Sequence, residues 1–342
     1  MKAVYYDGEG KFELREAYEA EPKVNEVTLR LAYCGICGSD VHIANAEWDW
    51  RIATFPRIIG HETSGEIIKV GSEVKDWKVG DRVVVRPLDT CGECQACKNG
   101  DTNVCPSVKY LGIEKDGAFQ NTWTVDASVL HKCPDDLSLK HAALVEPLAV
   151  CCHAANRSGV KAGGTAVVIG GGPIGLMTAA VLKSKGVRVV VSELSPVRLE
   201  NCRKMGIKCV NPTETDLKAY IDGMTDNYGV DAVIEASGSQ AGLSSAASLC
   251  HPNARIVTVA TYAKPMQLAI NQLHFKQVCL VTTRAYRAED FDEALDLMNR
   301  RAFDCDLLIS RVMPLEELQQ ALELCKTGTD IVKVLIDCQS VQ

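Results

Sequence analysis

The sequence feature that most constrains the fold is a glycine-rich turn near the middle of the chain, set between two short apolar segments. Residues 166–169 form a continuous apolar run, which is typical of a parallel β-strand buried on both faces. Gly170, Gly172 and Gly175 follow at once in a Gly-x-Gly-x-x-Gly pattern, and a helix-like segment comes next. This order predicts a strand, a tight turn and a helix, which together begin a doubly wound parallel sheet.

The same turn predicts a nucleotide site. Its glycines allow the backbone to approach a pyrophosphate at the start of the helix, where Pro173 and Ile174 stand. Glu193 ends the next strand, 18 positions after Gly175, and its carboxylate can accept hydrogen bonds from both ribose hydroxyls. A carboxylate repels the 2′-phosphate of NADP, so the pattern favours NAD, although Arg198 lies five residues further on.

The rest of the C-terminal half continues to alternate strands and helices. Strands are predicted at 187–191, 230–236, 255–260, 278–282 and 333–336. Helices are predicted at 176–184, 241–250, 291–300 and 315–325. The N-terminal part instead alternates polar and apolar residues, for example at 26–31, 65–71 and 80–85, which predicts a small and mostly antiparallel barrel.

Length and composition narrow the class of protein. The 342 residues suit two domains, and a formal net charge of −7 argues against a broad surface for nucleic acid or an anionic membrane. The sequence has neither an apolar run of about 18 residues nor a start typical of a signal or transit peptide, which predicts a cytoplasmic protein. The sixteen cysteines are scattered or grouped at metal-ligand spacing, so we expect reduced thiols and zinc thiolates and no disulfide framework.

Four cysteines stand in a polar loop at the spacing Cys-x2-Cys-x2-Cys-x7-Cys. They are Cys91, Cys94, Cys97 and Cys105. Four thiolates so close in the chain can surround a zinc ion tetrahedrally and stabilise a loop that lacks apolar residues of its own. We expect a structural zinc site, and an iron–sulfur cluster or metal-free cysteines are the alternatives.

A second cluster, in the stretch from Cys34 to Glu62, combines a thiol (Cys34 or Cys37) with an imidazole and a carboxylate (His61 and Glu62). A thiolate, an imidazole and a third protein ligand, with one position left for water or substrate, is the set that a catalytic zinc ion requires. The alternative is that Cys34 and Cys37 form a redox pair and that His61 is an ordinary hydrogen-bonded histidine. Glu146 lies in an apolar run before a proline, where a carboxylate is more often a cap or turn residue than a ligand.

The order of these motifs, over nearly the whole chain, resembles the zinc-dependent medium-chain dehydrogenase/reductase family. Within that family the chain is most similar to the sorbitol (polyol) dehydrogenase branch, which includes butanediol dehydrogenases. The resemblance implies an α/β protein. A GroES-like, mostly β catalytic domain would comprise residues 1–150 and 285–342, and a Rossmann NAD-binding domain with a doubly wound parallel sheet would comprise residues 151–284.

The resemblance also implies roles for the second cluster. Cys37 and His61 match the ligands of the catalytic zinc, and Glu62 matches a carboxylate that binds the metal only in some states. Glu146 stands where alcohol dehydrogenases proper have a further cysteine ligand and polyol dehydrogenases have a glutamate, which acts directly or through the zinc-bound water. The four-cysteine loop matches the structural zinc site of the family, whereas Cys34 matches no functional residue and is expected to be a buried small side chain.

Further residues match the substrate side of the family's site. Ser39 matches the hydroxyl that hydrogen-bonds the reacting alcohol, and His42 stands where many relatives have the histidine of a proton relay. Arg284 resembles an arginine near the polyol pocket. Trp48 and Trp50 lie between the candidate ligands in sequence and either wall the pocket or only pack the barrel.

The resemblance implies the reversible oxidation by NAD of a secondary alcohol of a polyol or sugar alcohol to a ketone. It implies two Zn²⁺ ions per chain, one catalytic and one structural, a small-molecule substrate and a homodimer or homotetramer. L-Threonine 3-dehydrogenase is the nearest alternative, but the residues after Glu146 are nearer the polyol form. A non-catalytic, zinc-stabilised NAD-binding protein is another alternative, against which the presence of Cys37, His61 and Ser39 argues.

Overall fold

The structure is a computed structural model that describes residues 1–47, 54–262, 264–328 and 330–340. The chain forms two compact units. The first comprises Met1–Pro147, Ala294–Arg300 and Ile309–Gln342, and the second comprises Leu148–Glu293 and Arg301–Leu308. The chain therefore passes from the first unit to the second and back more than once.

The strands are numbered in chain order: β1 (Lys2–Tyr6), β2 (Phe12–Glu16), β3 (Glu26–Gly35), β4 (Glu62–Val70), β5 (Arg82–Val85), β6 (Leu88–Asp89), β7 (Lys109–Tyr110), β8 (Thr122–Asp126), β9 (Leu130–Lys132), β10 (Thr165–Ile169), β11 (Arg188–Ser192), β12 (Lys208–Val210), β13 (Val230–Glu235), β14 (Cys250–Thr258), β15 (Cys279–Thr282), β16 (Ile309–Pro314) and β17 (Lys333–Asp337). The α-helices are α1 (Gly38–Ala44), α2 (Gln95–Lys98), α3 (Leu139–Ala142), α4 (Val145–Ser158), α5 (Pro173–Ser184), α6 (Pro196–Lys204), α7 (Leu217–Met224), α8 (Gln240–Leu249), α9 (Ile270–Lys276), α10 (Ala288–Asn299) and α11 (Leu318–Thr327). No helix within the described ranges has both the length and the apolar character needed to cross a membrane.

The first unit is built on a seven-stranded sheet in the order β16-β17-β3-β4-β5-β9, with β8 also paired to β3. The β16–β17 pair is parallel and the other pairs are antiparallel, so the predicted antiparallel character is confirmed. Alternate residues of the central strands, such as Leu29, Leu31 and Ile67, are fully buried in one apolar core. The period-2 pattern of the sequence therefore marks the face of the sheet that is covered.

The second unit contains a six-stranded sheet in the order β12-β11-β10-β13-β14-β15, and all of its pairs are parallel. By position along the chain this order is 3-2-1-4-5-6, which is that of a Rossmann fold. Val167 and Val168 of β10 are both fully buried, as expected for a central strand covered on both faces. The predicted strands are confirmed, although β14 begins at Cys250 and not at residue 255.

The chain changes units at places other than the predicted boundaries. Residues 285–293 and 301–308 belong to the second unit, whereas the family resemblance implies that they return to the first. Asp290 ties the earlier segment to the second unit, because its buried carboxylate forms hydrogen bonds with His153 (2.7 Å) and Asn156 (2.8 Å). Contacts between residues so far apart in sequence leave no trace in local periodicity.

Candidate active site

The end of β3 and the start of β4 bring the cluster of Cys37, His61 and Glu62 together. Gly35 ends β3 and faces Glu62, the first residue of β4, in the antiparallel ladder. A Cβ atom at Gly35 would lie 2.2 Å from Glu62 Oε2, so only glycine leaves room for this carboxylate. The side chains of Cys37, His61 and Glu62 each place one candidate ligand atom within 4.8 Å of the other two. Cys37 is half-buried, and the other two residues are buried.

A buried carboxylate lies behind the imidazole. Asp40 Oδ2 accepts the backbone N–H of Cys37 at 2.8 Å, which caps α1, and Asp40 Oδ1 lies 3.7 Å from His61 Nδ1. Burial raises the pKa of Asp40 to about 6, against the lowering effect of His61. Burial also acts to lower the pKa of His61, but Asp40 and Cys37 outweigh it and hold that pKa well above its usual value. Asp40 Oδ1 and His61 Nδ1 form no hydrogen bond, but the negative carboxylate favours a proton on Nδ1, which leaves the other ring nitrogen for a metal.

A buried lysine pairs with the carboxylate of the cluster. Lys333 Nζ donates to Glu62 Oε1 at 2.8 Å and to Oε2 at 2.6 Å, and both side chains are almost fully buried. The same ammonium group donates to the carbonyl of Ile36 at 2.9 Å. Burial opposes the charged form of Lys333, but the adjacent Glu62 outweighs it, so the pKa of the lysine is raised.

Sequence reasoning missed both Asp40 and Lys333. Asp40 had a local signal, because a residue that caps a helix often pairs with an acidic residue three positions later, as Cys37 does here. Lys333 stands 271 residues from Glu62, and its only signal is a charged residue at the start of an apolar strand.

The other predicted active-site residues of the first unit lie on two helices. Glu146 is buried in the first turn of α4 and is near enough to His61 to help raise its pKa, but it lies outside the group of atoms within 4.8 Å. The hydroxyl oxygen of Ser39 in α1 is buried and has no hydrogen-bond partner among the described residues. One turn further on, His42 Nδ1 lies 2.5 Å from Glu47 Oε2.

The four predicted cysteines of the polar loop also converge. Their sulfur atoms all lie within 4.8 Å of one another, with Cys105 Sγ 3.5 Å and Cys97 Sγ 4.0 Å from Cys91 Sγ. A tetrahedral zinc site with Zn–S bonds of about 2.3 Å separates its sulfur atoms by about 3.8 Å. Backbone N–H groups of Glu93 and Cys94 lower the pKa of Cys91 to about 6, whereas burial raises the pKa of Cys97 to about 12. None of the four forms a disulfide, so the donor set fits a zinc ion.

The glycine turn of the second unit has the packing that close approach to a phosphate requires. Gly170 has φ +96°, and a Cβ atom there would lie 2.9 Å from Ser237 Cα. A Cβ atom at Gly175 would lie 1.8 Å from the carbonyl oxygen of Gly170, so α5 packs directly on the turn. Gly172 caps α5 ahead of Pro173, and a Cβ atom there would lie 4.0 Å from Arg198 Nη1, which is an ordinary contact distance. The turn therefore presents a free backbone edge at a helix N-terminus.

Glu193 lies beside the glycine turn. Its carboxylate accepts backbone N–H groups from Gly171 (2.6 Å), Leu194 (2.6 Å) and Ser195 (2.8 Å), and Arg198 Nη1 lies 3.8 Å from it. Glu193, Arg198 and the glycine turn line a cavity of about 940 Å³. A cavity of that size can hold part of a dinucleotide. The Glu193 carboxylate that lines it is held in place by backbone hydrogen bonds.

The remaining residues singled out in the sequence are Arg284, Trp48, Trp50 and Cys34. Arg284 is exposed in the stretch that follows β15. Trp48 and Trp50 lie outside the described residues. Cys34 is fully buried in β3, and burial raises its pKa well above the usual value, which is the reverse of what an attacking redox thiol needs.

Comparisons with known proteins agree with this geometry. A family described as "Alcohol dehydrogenase GroES-like domain" matches residues 23–135, and one described as "Zinc-binding dehydrogenase" matches residues 173–300. The chain is 42% identical to the 2-dehydro-3-deoxy-L-galactonate 5-dehydrogenase of Pseudoalteromonas atlantica, over 100% of both chains. It is 33% identical to a sorbitol dehydrogenase of Halalkalibacterium halodurans, over 96% of each. The crystal structure of 2R,3R-butanediol dehydrogenase from Bacillus subtilis matches with a TM-score of 0.90 and 31% identity, over 98% of this chain and 99% of that one.

The antiparallel sheet of the first unit and the Rossmann sheet of the second define a two-domain, zinc-binding dehydrogenase. The chain belongs to the zinc-binding alcohol dehydrogenase family, in the branch of the polyol dehydrogenases, and it is an enzyme. This result opposes the alternative of a non-catalytic NAD-binding protein.

Proposed function

We propose that the enzyme uses NAD and zinc to interconvert a secondary alcohol of a polyol or related sugar derivative and the corresponding ketone. The observation that carries the proposal is the buried cluster of Cys37, His61 and Glu62, with Asp40 behind the imidazole. A thiolate and an oriented imidazole with a carboxylate nearby form the donor set of a catalytic zinc site with an open position.

Cys37 and His61 would hold the catalytic ion, with Glu146 as the carboxylate that completes the site directly or through water. A zinc ion at this place would lower the pKa of a substrate hydroxyl toward neutrality. Asp40 Oδ1, 3.7 Å from His61 Nδ1, would favour a proton on that nitrogen and so leave Nε2 for the ion. Cys91, Cys94, Cys97 and Cys105 would hold the second, structural ion.

Ser39 and His42 would move the proton of the substrate hydroxyl. Ser39 Oγ is buried and has no partner within the described ranges, so it is available to accept that proton through a hydrogen bond. His42 stands one turn later on the same face of α1, and Glu47, which pairs with it, is about half exposed. These residues would connect a buried hydroxyl to solvent.

The glycine turn and Glu193 would bind the coenzyme, whose nicotinamide ring accepts the hydride. Glu193 supports NAD over NADP, because three backbone N–H groups hold its carboxylate in the cleft where a 2′-phosphate would have to sit. Arg198 lies 3.8 Å from that same carboxylate and lines the cleft, so its guanidinium group would be available to pair with a phosphate of the coenzyme. The cytoplasmic location and the homodimer or homotetramer stay predictions.

A sugar acid is a second candidate substrate. The relative with 42% identity over its full length is named for a 2-dehydro-3-deoxy sugar acid oxidised at carbon 5, which is also a secondary alcohol. Both candidates share the polyhydroxy chain, and only the acid adds a carboxylate that needs a cation in the pocket. L-Threonine remains the alternative from a different substrate class.

The test is an initial-rate assay of NADH formation with neutral polyols, 2-dehydro-3-deoxy sugar acids and L-threonine, each also run with NADP. We expect the highest kcat/KM for a polyol or a sugar acid, and a preference for NAD. Turnover of threonine alone would overturn the proposed substrate class. A higher kcat/KM for the sugar acids than for the neutral polyols would identify a sugar acid as the substrate.

A further inference from the structure

We propose that Lys333 is a positioning residue. Its ion pair with Glu62 holds that carboxylate away from the metal at Cys37 and His61, and so keeps one coordination position open for substrate. The inference rests on the proposed function, because it concerns the same metal site. It assigns a role to a residue that lies in the C-terminal strand β17, far in sequence from the ligands.

The carboxylate of Glu62 has two possible partners. One of its oxygen atoms lies in the group of candidate ligand atoms with Cys37 and His61, all within 4.8 Å of one another. Both oxygen atoms also accept hydrogen bonds from Lys333, at 2.8 and 2.6 Å. A carboxylate that is fully used by an ammonium group is a poorer metal ligand, so the lysine and the metal compete for it.

The lysine is fixed in place by the backbone around it. Its third N–H group donates to the carbonyl of Ile36, the residue directly before Cys37. The next residue of β17, Val334, accepts the backbone N–H of Ile36 at 3.0 Å, and Leu335 pairs with Gly35. Lys333 therefore joins the strand that precedes Cys37 to the strand that begins with Glu62.

The number of protein ligands decides what a zinc site does. Structural sites have four protein ligands, whereas catalytic sites have three and an open position. If Cys37, His61 and Glu146 supply three ligands, then Glu62 as a fourth would close the site. Removal of the ammonium group would leave a buried carboxylate without its partner, and the metal is the nearest cation left to it.

The test compares Lys333→Met with Lys333→Arg and with the double variant Lys333→Met/Glu62→Gln, using Co²⁺-substituted protein. Cobalt in the four-cysteine site contributes equally to all samples, so the difference spectrum against Cys37→Ser isolates the cobalt at Cys37. Lys326→Met is the matched control, because this exposed lysine donates to Asn45 in the same unit and not to a residue of the cluster. Each variant is also assayed with zinc for kcat and KM.

We expect Lys333→Met to lower kcat/KM by about 10- to 100-fold, the range typical of residues that orient metal ligands. Its cobalt spectrum without substrate should change and should respond less to added alcohol. Lys333→Arg should recover most of the activity, since arginine retains the charge and the donors. The double variant should be more active than Lys333→Met, because it removes the competing carboxylate.

A Lys333→Met spectrum identical to that of the wild type, or a double variant no more active than the single one, would overturn the proposal. If Lys333→Met does not fold, Glu62→Gln decides the question. Its cobalt spectrum stays unchanged if Lys333 holds Glu62 away from the metal, and changes if Glu62 is already a ligand. If the wild type has no cobalt band that depends on Cys37, the proposed metal site itself is wrong, which is a distinct result.

Discussion

The two cysteine-containing clusters of the first unit differ in almost every physical respect. The four-cysteine loop uses one kind of donor, spans Cys91 to Cys105, and leaves Cys91 exposed. The cluster at Cys37 uses a thiol, an imidazole and a carboxylate, and two further charged residues, Asp40 and Lys333, are buried around it. Four thiolates make a closed site, whereas the mixed set leaves room for a substrate.

The two clusters are also assembled in different ways. The loop cysteines converge through local turns, with α2 beginning at Cys94 and a short 3₁₀ turn over Thr102–Val104 leading to Cys105. The mixed cluster needs β3, β4, α1 and β17 to be folded together before its atoms meet. We therefore expect changes in the loop to affect stability and changes in the mixed cluster to affect catalysis.

The largest expected effect is that of Cys37→Ser, which removes the candidate thiolate ligand. We expect kcat/KM to fall more than about 100-fold, since removing a metal ligand should lower activity more than removing a residue that only orients a ligand. The metal content should fall from about two ions per chain to about one. Rate assays and elemental analysis of the purified protein measure both.

Cys34→Ser is the matched control, because it makes the same chemical change three residues earlier at a fully buried thiol. It should lower stability by about 1 kcal/mol through burial of a hydroxyl and leave the metal content unchanged. Equal losses of metal in the two variants would remove the distinction between Cys37 and an ordinary buried cysteine.

Asp40→Asn should have the next largest effect on catalysis. Its amide can still accept the N–H of Cys37, but its NH₂ group can donate to His61 Nδ1 and so favour the tautomer that cannot bind a metal. We expect kcat/KM to fall about 10- to 100-fold, with a weaker affinity for the catalytic ion measured by chelator competition.

The control for Asp40→Asn is Asp216→Asn. Asp216 caps α7 by accepting the backbone N–H groups of Lys218 and Ala219, and no imidazole takes part in this cap. A similar loss of activity in both variants would mean that Asp40 acts only as a helix cap.

Cys91→Ser/Cys94→Ser should have the smallest effect on catalysis and a clear effect on stability. A structural zinc ion contributes to the free energy of folding, so we expect the Tm to fall by about 5 °C or more. The kcat of the folded fraction should stay within about threefold, under ~1 kcal/mol in the barrier. Calorimetry and rate assays below the transition test both statements.

Cys279→Ser is the control for the loop, since Cys279 is also exposed but lies on β15 in the second unit. It should change neither the Tm nor the metal content. A kcat loss above 100-fold in the loop variant, with the Tm unchanged, would reverse the roles assigned to the two clusters.

The sequence by itself determined those features whose parts lie close together in the chain. The apolar run 166–169, the glycine turn and Glu193 predict the start of the parallel sheet, because a strand, a turn and a helix are short-range structures. The four cysteines predict a metal site for the same reason, since their spacing alone allows them to converge. Burial on one or both faces likewise appears in local periodicity.

The charged groups around the mixed cluster follow from strand pairing between distant segments and could not be read from the sequence. Glu62 and Lys333 meet across 271 positions because β3 pairs with β4 on one edge and with β17 on the other. Long-range packing also sets three other features. They are the burial of the Ser39 hydroxyl, the position of Glu146 outside the closest group of ligand atoms, and the membership of residues 285–293 in the second unit. Periodicity and spacing report which face of an element is buried, but the element that covers it is set by strand pairing between distant segments.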